Sequence, residues 1–398
     1  MDRIRRFGQD VARSSDLVLY ALCTIATFYG MLLILSATHT VYHGTLKYVI
    51  VQGAGWGIGS VLYFLLSSLD PTEAVKKRWK WFFAFNVGFI ALLLTPFGLR
   101  RNGNLAWLGV NTIGEKLGVS ALKNFPIYVQ PAEIVKITFI LLLAWQLTYL
   151  REEHDLVRFR NVVQPTAHVL FMFAFYYLIS KDAGSGLVYL FVFVCMAFAG
   201  GMAARWLILG VGGVVGGIIA AWDLRLLRGD WYKRIMVVLD HSYDPEGKGW
   251  QQTRGLLALG SGGWTGQGLF HGTQTQSPYR WSLPERQTDF IFCVAGEELG
   301  YLGCALILLL LLAIVVRCLV VARDAATPME SLVCVGMAGM LIFQTIANVG
   351  MCLFVLPVIG LTLPFFSYGG SSIVTIFAAM GVVSGIKKRS LPEWLMNK

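Results

Sequence analysis

The chain has 398 residues, of which 56% are hydrophobic and only 14% are charged, and its formal net charge is +10. A soluble chain of this length would form two or three domains with about a quarter of their residues charged. The composition therefore excludes a water-soluble globule and predicts an integral membrane protein.

Apolar stretches long enough to cross a membrane recur along the sequence, since a transmembrane helix needs about 20 residues. They are continuous rather than alternating, which favours helices over the strands of an outer-membrane barrel. We expect an all-α integral membrane protein in which residues 1–398 form one polytopic domain of about ten transmembrane helices. The spans are predicted at 17–37, 46–69, 80–97, 133–150, 165–181, 184–203, 205–222, 288–322, 330–353 and 370–386.

The cations are concentrated at three places outside the predicted spans. They are Arg3, Arg5, Arg6 and Arg13 before the first span, Lys76, Lys77, Arg78 and Lys80 between the second and third, and Lys387, Lys388 and Arg389 after the last. This is the positive-inside pattern of membrane proteins, so both termini are expected in the cytoplasm. The net charge is explained by topology, and no nucleic-acid partner is expected.

Segment 98–131 departs from that pattern, because it faces outward and still carries an excess of cations. Arg100, Arg101, Lys116 and Lys123 stand there against Glu115 alone. An anionic ligand at the outer face would explain this excess. The alternative is that the arginines reach lipid headgroups with their long side chains.

The fourth span begins with proline and carries Glu133 and Lys136 three residues apart on one helical face. Ionisable groups inside a membrane are costly and usually mark a functional cavity. The alternative is an ion pair that only holds helices together.

The polar stretch 223–287 is predicted to be a large extracytoplasmic loop. Loops of this length are uncommon unless they are functional. Its glycine cluster, residues 260–268, has neither the Lys-Ser/Thr pair nor the preceding strand of a phosphate-binding loop, so no nucleotide site is predicted.

The loop ends in Leu283-Pro284-Glu285-Arg286-Gln287-Thr288-Asp289 and leads directly into the eighth span. On an ideal helix Asp289 and Glu297 lie about 12 Å apart along the axis and within about 80° of each other, so both can face one cavity. A carboxylate at the mouth of such a cavity, beside a basic loop, suits a general base. The alternative is a first-turn residue matched to the helix dipole.

Residues 356–372 contain two prolines and three glycines in an apolar setting, which predicts a re-entrant segment before the tenth span. Lipid cannot satisfy such backbone, so it must be buried in protein or line a water-filled cavity. The tenth helix would then direct its free N–H groups towards the outer cavity and stabilise an anion there. A purely structural segment is the alternative.

The pairing of LPERQTDFIFCVAGEELGYLG (283–303) with LPVIGLTLPFFSYGGSS (356–372) resembles the SEDS family of bacterial membrane proteins, which includes RodA, FtsW and SpoVE. Shorter matches are Gln130-Pro131-x-Glu133-x-x-Lys136, Tyr232-x-Arg234, Asp244-Pro245, Ala258 to Gly263 and Asn348-x-Gly350-Met351. The resemblance runs from about residue 100 to the end of the last span. It implies a peptidoglycan glycosyltransferase of the bacterial cytoplasmic membrane that polymerises lipid II at the outer face, for elongation, division or sporulation. The implied protein partner is a class B penicillin-binding protein.

The resemblance also implies roles for individual residues. Asp289 would deprotonate the acceptor 4-hydroxyl of one lipid II molecule, and undecaprenyl pyrophosphate would leave. A divalent cation, Mg²⁺ or Mn²⁺, would bridge the pyrophosphate, with no assigned ligands. The candidate substrate-binding residues are Arg100, Arg101, Glu133, Lys136, Asp182, Arg286, Thr288, Glu297, Glu298, Ser367, Gly369, Gly370 and Ser371.

Several positions depart from the family pattern on the outer side, including Arg254-Gly255 where Gln-Ser is usual. Ala106 stands where an arginine is usual, and Ser180-Lys181-Asp182 keeps only the acid of the usual Gln-Pro-Asp. Because Asp289 is retained, we favour an active enzyme.

Two other functions remain open from the sequence. A lipid II flippase would use the buried acids and Lys136 as a transport path, although the stretch from Leu306 to Leu312 below them is wholly apolar. A non-catalytic scaffold for the transpeptidase would tolerate loss of the Asp289 carboxylate.

Overall fold

The computed structural model describes residues 15–42, 45–101, 103–109, 111, 118, 128–153, 156–224, 230–241, 243–244 and 246–390. Its helices are α1 (Leu17–His39), α2 (Lys47–Ser68), α3 (Pro71–Ala91), α4 (Pro131–Glu153), α5 (Phe159–Ser180), α6 (Ala183–Ala199), α7 (Ala204–Asp223), α8 (Asp230–Leu239), α9 (Lys248–Ser261), α10 (Ile291–Asp324), α11 (Pro328–Cys352) and α12 (Gly370–Arg389). A 3₁₀ turn, Leu92–Leu94, follows α3.

Within the described residues, eight helices are long and apolar enough to cross a membrane: α1, α2, α4, α5, α7, α10, α11 and α12. The expected all-α membrane fold is confirmed. Of the other two predicted spans, α6 is apolar but has 17 residues, and α3 runs from Pro71 with a kink at Arg78, just before the predicted start of the span at Lys80. The basic residues that precede the third predicted span therefore belong to the helix itself.

Side-chain caps set the starts of several helices. Asp16 accepts from the Leu19 N–H at the start of α1, and Asp182 accepts from the Ser185 N–H at the start of α6. Asp70 caps α3 and Thr327 caps α11, each followed by a proline that needs no N–H partner. These residues are the usual choices at N-caps because their oxygens satisfy otherwise unpaired N–H groups.

A small antiparallel sheet occupies part of the segment that the sequence suggested was a loop. Its strands are β1 (Gly98–Arg101), β2 (Asn104–Gly109) and β3 (Tyr128–Val129), in the order β1-β2-β3. Gly103 has φ +86° in the turn between β1 and β2, a conformation that favours glycine. The strands are too short for a period-two pattern to distinguish them from a loop.

Helices α2 and α12 approach closely because glycines lie between them. An added Cβ would meet the Phe377 side chain at Gly59 (2.9 Å) and the Tyr63 carbonyl at Gly381 (2.6 Å). Small residues permit such approaches in membrane bundles. This pair supports the irregular segment that precedes α12.

Ion pairs join the ends of four helices where α1 begins and α12 ends. The buried Asp16 carboxylate lies 2.8 Å from Arg317 of α10 and 3.2 Å from Lys387 of α12. Arg389 of α12 lies 2.7 Å from Glu330 of α11. The start of α12, which carries candidate site residues, is at the other end of that helix.

The glycine cluster of the long loop packs against a break in α10. Gly300 has φ +67° and ψ −161°, and this interrupts the helical hydrogen bonds. Residues of the cluster replace them: Gln267 N–H donates to Glu297 O at 2.9 Å, Gly268 N–H donates to Glu298 O at 3.0 Å, and Gly263 O accepts from Tyr301 N–H at 2.9 Å. The cluster therefore stabilises the break in α10.

Candidate functional site

Asp289 lies in a tight turn just before α10. Glu285 has φ +49°, and its carbonyl accepts from the N–H groups of Thr288 (3.1 Å) and Phe290 (3.2 Å). The fully buried Phe290 side chain anchors the far end of the turn. Asp289 is thus presented from a constrained loop, and its side chain is only partly buried.

Three successive carbonyls of the turn accept hydrogen bonds, two from the second long motif and one from α11. Gln287 O accepts from Tyr368 N–H at 2.8 Å, Thr288 O accepts from Ser367 Oγ at 2.6 Å, and Asp289 O accepts from Asn348 Nδ2 at 2.9 Å. The two motifs that are far apart in sequence are therefore adjacent. The described residues donate no hydrogen bond to the Asp289 carboxylate, so its oxygens remain available to a substrate.

Buried amide side chains satisfy the irregular Pro/Gly segment, residues 356–369. Asn348 of α11 also donates to Leu361 O at 2.7 Å. Gln52 of α2 donates to Ser367 O at 3.1 Å and accepts from Gly369 N–H at 3.0 Å. Gln252 of α9 donates to Met351 O at 3.0 Å and Leu356 O at 2.7 Å. Such partners are required where backbone without regular structure is removed from water.

The environment of Asp289 favours a carboxyl that gains and loses a proton near neutral pH. Burial, with smaller contributions from the charges of Glu285 and Asp182, raises the pKa of Asp289 to about 7. The carboxylate faces Gly360, where an added Cβ would lie 3.9 Å from Asp289 Oδ2. A pKa near the operating pH suits a general base.

Asp182 lies at the start of α6, beside the Pro/Gly segment. Its carboxylate accepts from Tyr176 Oη at 3.0 Å and from Ser185 N–H at 3.3 Å. Gly184, two residues later, packs so tightly against the Ile359 carbonyl that a Cβ would not fit. Asp182 is therefore close enough for its charge to raise the pKa of Asp289, although its carboxylate already accepts hydrogen bonds from Tyr176 and Ser185.

Glu133 and Lys136 form an ion pair within α4, with Oε1 and Nζ 2.7 Å apart. Both are buried, with 9% and 1% of their surfaces exposed. The pair joins successive turns of one helix rather than two helices. A role for either residue in binding substrate stays a prediction.

Arg286 is held inside the loop. Only 2% of the residue is exposed, and its guanidinium donates to four main-chain carbonyls. These are Leu283 O at 3.0 Å, Tyr279 O at 2.9 Å, Ser277 O at 3.2 Å, and Thr275 O. Arg286 therefore stabilises the loop, and a role for it in binding substrate stays a prediction.

Glu297 and Glu298 have no exposed surface, and a role for either residue in binding substrate stays a prediction. Glu297 accepts from the N–H groups of Gln274 (2.7 Å) and Thr275 (2.8 Å). Glu298 accepts from Gln276 Nε2 at 2.8 Å and from the hydroxyl of Ser36 in α1. The expectation that Glu297 shares a cavity with Asp289 assumed one continuous helix, but Asp289 precedes α10 and the loop covers Glu297.

The other candidates lie around the turn, in the sheet and at the start of α12. Thr288 bonds through its hydroxyl to Glu285 Oε2 at 3.1 Å. Ser367 contacts the turn directly, and the N-terminal residues of α12, Gly370 and Ser371, follow it after Gly369. The structure describes only part of the cation-rich segment. Arg100 is exposed on β1. The side chain of Arg101 and the residues Lys116 and Lys123 lie outside the described part of the chain. Ala106 is buried in β2.

Among the described residues, no three His, Cys, Asp or Glu side chains are grouped so that they could hold a metal ion. The carboxylates nearest to the candidate base, Asp182 and Glu285, already bond to Tyr176 and Thr288. These two carboxylates are therefore partly occupied by protein partners, and a divalent cation at this site stays a prediction.

The sequence of the whole chain is similar to that of known cell-wall proteins. The family model for FtsW, RodA and SpoVE, described as "Cell cycle protein", matches residues 16–391. Stage V sporulation protein E of Bacillus subtilis is 30% identical over 386 residues, covering 95% of this chain and 98% of that protein. Probable peptidoglycan glycosyltransferase FtsW of Tolumonas auensis is 34% identical over 77% of this chain and 76% of its own length. Peptidoglycan glycosyltransferase MrdB of Escherichia coli K12 is 29% identical over 83% of this chain and 82% of its own length.

Solved structures have the same fold. A chain in a study of polymerization and crosslinking by a peptidoglycan synthase complex superposes with a TM-score of 0.75 and 26% identity, covering 94% of this chain and 98% of that one. The rod shape determining protein RodA of Thermus thermophilus superposes with a TM-score of 0.64 and 24% identity, covering 95% and 98% of the two chains.

Proposed function

The chain belongs to the FtsW, RodA and SpoVE family of cell cycle proteins, and we propose on that basis that it is a peptidoglycan glycosyltransferase that polymerises lipid II. Relatives that are 34% and 29% identical carry the names peptidoglycan glycosyltransferase FtsW and MrdB. The observation that carries the proposal is the Asp289 carboxylate. It is held by its backbone at the junction of the two long motifs, and its oxygens accept no bond from the described residues.

In the proposed reaction Asp289 takes the proton from the 4-hydroxyl of an acceptor lipid II molecule. The oxygen attacks the anomeric carbon of the growing chain, and the bond from that carbon to the pyrophosphate oxygen breaks. Undecaprenyl pyrophosphate leaves with the electron pair. A positioned base typically contributes a factor of about 10²–10⁴ to such a step.

The polar groups around Asp289 suit this chemistry. The leaving group is an anion attached to a lipid, and helix N-termini stabilise anions through their unpaired N–H groups. The N-terminus of α12 follows Ser367, whose hydroxyl bonds to Thr288 O. We expect the exposed Arg100 to be a further cation for this group, and a divalent cation, Mg²⁺ or Mn²⁺, would supply neutralisation of the developing charge.

The orientation and the partner belong to the same proposal. The basic clusters before α1 and after α12 predict cytoplasmic termini, and the start of α12, with Asp289 beside it, then lies towards the outer face. There lipid II and a class B penicillin-binding protein can meet the enzyme. The structural similarity to a chain from a peptidoglycan synthase complex supports this partnership.

The test is polymerisation of labelled lipid II by the purified full chain, with and without a class B penicillin-binding protein. Asp289→Ala should make no glycan strands while it folds and binds the partner as the wild type does. Glu73→Gln is the matched control, because that exposed acid pairs with Lys76 at the opposite end of the bundle.

Long strands made by Asp289→Ala would refute the proposed base. If neither protein makes strands and both move lipid II across vesicle membranes, the chain is a flippase instead. If neither the wild type nor Asp289→Ala makes strands or moves lipid II, and the partner's transpeptidase still requires the chain, the scaffold function is correct.

A further inference from the structure

A groove on the side of α3 is separate from the candidate site and has no role in the proposed reaction. It has a volume of about 510 Å³ and is lined by Arg78, Trp81, Phe82 and Phe85 of α3 and by Thr138 of α4. This volume is in the range of ligand pockets, about 300–1,000 Å³. The four residues of α3 are spaced i, i+3, i+4 and i+7, so they form a single stripe along one face of the helix.

The stripe has a cation at one end and aromatic rings along the rest. Trp81 is 75% exposed and Phe85 is 44% exposed, so the rings are accessible from outside the protein. A molecule with an anionic head and an apolar chain would match this arrangement of a cation followed by aromatic rings.

Arg78 has no ionic partner among the described residues. The one acid of α3, Glu73, is shared by Lys76 at 3.6 Å and Lys77 at 3.4 Å, and Asp70 before the helix is near Arg389 at 3.7 Å. The backbone of Arg78 is non-helical, with φ −133° and ψ 30°, and its side chain opens onto the groove. The guanidinium is therefore a free, planar donor of the kind that binds phosphate.

The position of the groove indicates which side of the membrane it faces. Asp70, at the start of α3, lies beside Arg389, at the end of α12. Arg78 is thus on the half of the bundle away from Asp289, where Lys76, Lys77 and Lys80 add to the positive charge. In the orientation of the proposed function this is the cytoplasmic leaflet, in which juxtamembrane cations attract anionic lipids.

We propose that this groove is a binding site for an anionic glycerophospholipid, with its phosphate at Arg78 and an acyl chain along Trp81, Phe82 and Phe85. A free phosphate ion would leave the aromatic stripe unused. A zwitterionic lipid would bring its own cation to a surface that already carries four. The bound lipid would also brace α3 against α4, which pack nearby through stacked Trp79 and Trp145 rings, with centroids 4.9 Å apart.

The test is native mass spectrometry of the delipidated full chain titrated with phosphatidylglycerol or phosphatidylcholine of the same acyl chains. The wild type should bind one phosphatidylglycerol more tightly than phosphatidylcholine. Arg78→Ala should weaken binding of phosphatidylglycerol about fivefold, the value of one basic residue at a membrane surface, and Arg78→Lys should lose less. Lys77→Ala is the matched control and should lose less than Arg78→Ala, because it removes the same charge from a residue that does not line the groove.

Three results would overturn the proposal. They are equal affinity for the two lipids, unchanged binding by Arg78→Ala, and an equal loss in Lys77→Ala, which would indicate a diffuse basic surface. Trp81→Ala provides a second arm that does not alter the charge or the kink. It should weaken binding of both lipids by a similar factor through the lost chain contact, and unchanged binding would be a fourth result that overturns the proposal.

Discussion

The side-chain amide of Asn348 donates to the main-chain oxygen of Asp289 at 2.9 Å, so a residue of α11 holds the carboxylate-bearing turn through its backbone. The same nitrogen donates to Leu361 O at 2.7 Å. One fully buried side chain therefore fixes the distance between the turn and the Pro/Gly segment. This arrangement orients Asp289 without using the carboxylate itself.

Replacing Asn348 should impair both stability and catalysis. Asn348→Ala leaves the carbonyls of Asp289 and Leu361 without their donor, at about 1–3 kcal/mol for each buried group. Because Asn348 does not reach the substrate, kcat should fall while KM changes little. Thermal unfolding and lipid II polymerisation measure the two effects. Gln344→Leu, one turn earlier on α11, is the control, since Gln344 is buried and its Oε1 has no partner.

Polymerisation should depend on pH through Asp289. The pKa of this carboxyl is raised to about 7, and only the ionised form can accept a proton, so the rate should fall as the pH drops below 7. Removing a neighbouring negative charge makes ionisation easier and lowers the pKa. Asp182→Asn, which retains a good N-cap residue, should therefore move the midpoint of the rate profile to lower pH. A midpoint that is unchanged or higher would contradict the assignment of Asp289 as the base.

Gly360→Ala should abolish activity for two reasons that a control can separate. Gly360 has φ +70°, so alanine adds strain of about 1–2 kcal/mol. Its methyl group would also lie 3.9 Å from Asp289 Oδ2, where the acceptor must approach. Gly103→Ala tests strain alone, because Gly103 has φ +86° and nothing within 4 Å of an added Cβ. Equal activity in the two variants would show that space beside Asp289 is not required.

Glu297→Gln should destabilise the protein without changing the chemistry at Asp289. The carboxylate accepts from two backbone N–H groups and from the hydroxyls of Thr273 and Thr275. Losing charged hydrogen bonds costs about 1.5–3 kcal/mol, which should lower the unfolding temperature while kcat at low temperature is retained. Glu285→Gln, at an exposed acid, is the stability control. Normal stability together with weakened lipid II binding would indicate that Glu297 binds substrate.

The sequence was most informative where polarity is unexpected in an apolar chain. Asp289 and the Pro/Gly segment were identified in this way, because a carboxylate or broken backbone near a membrane needs an explanation. Gln52 is likewise a polar amide within an apolar stretch, the second predicted span. Gln52 contacts the Pro/Gly segment at two positions, so amides inside predicted spans are worth treating as backbone partners.

Other features depend on tertiary structure that a single sequence does not encode locally. Glu297 and Glu298 were placed at the cavity because helical periodicity was extended through residues 289–298, and the covering loop could not be foreseen. Arginine is a residue type that often binds anionic ligands, yet the guanidinium of Arg286 donates to four main-chain carbonyls. The hairpin around Gly103 was missed because its strands contain only four and six residues.

The break at Gly300 divides α10 into parts that differ in how they enter the membrane. Residues 301–324 form about 36 Å of helix, enough to cross a hydrocarbon core of about 30 Å without help. Residues 291–299, with two buried acids, instead need the loop around Gly266 and Thr275 to satisfy them. The segment after Asp289 is therefore held by contacts within the protein, whereas the rest of α10 is long enough to be held by lipid alone.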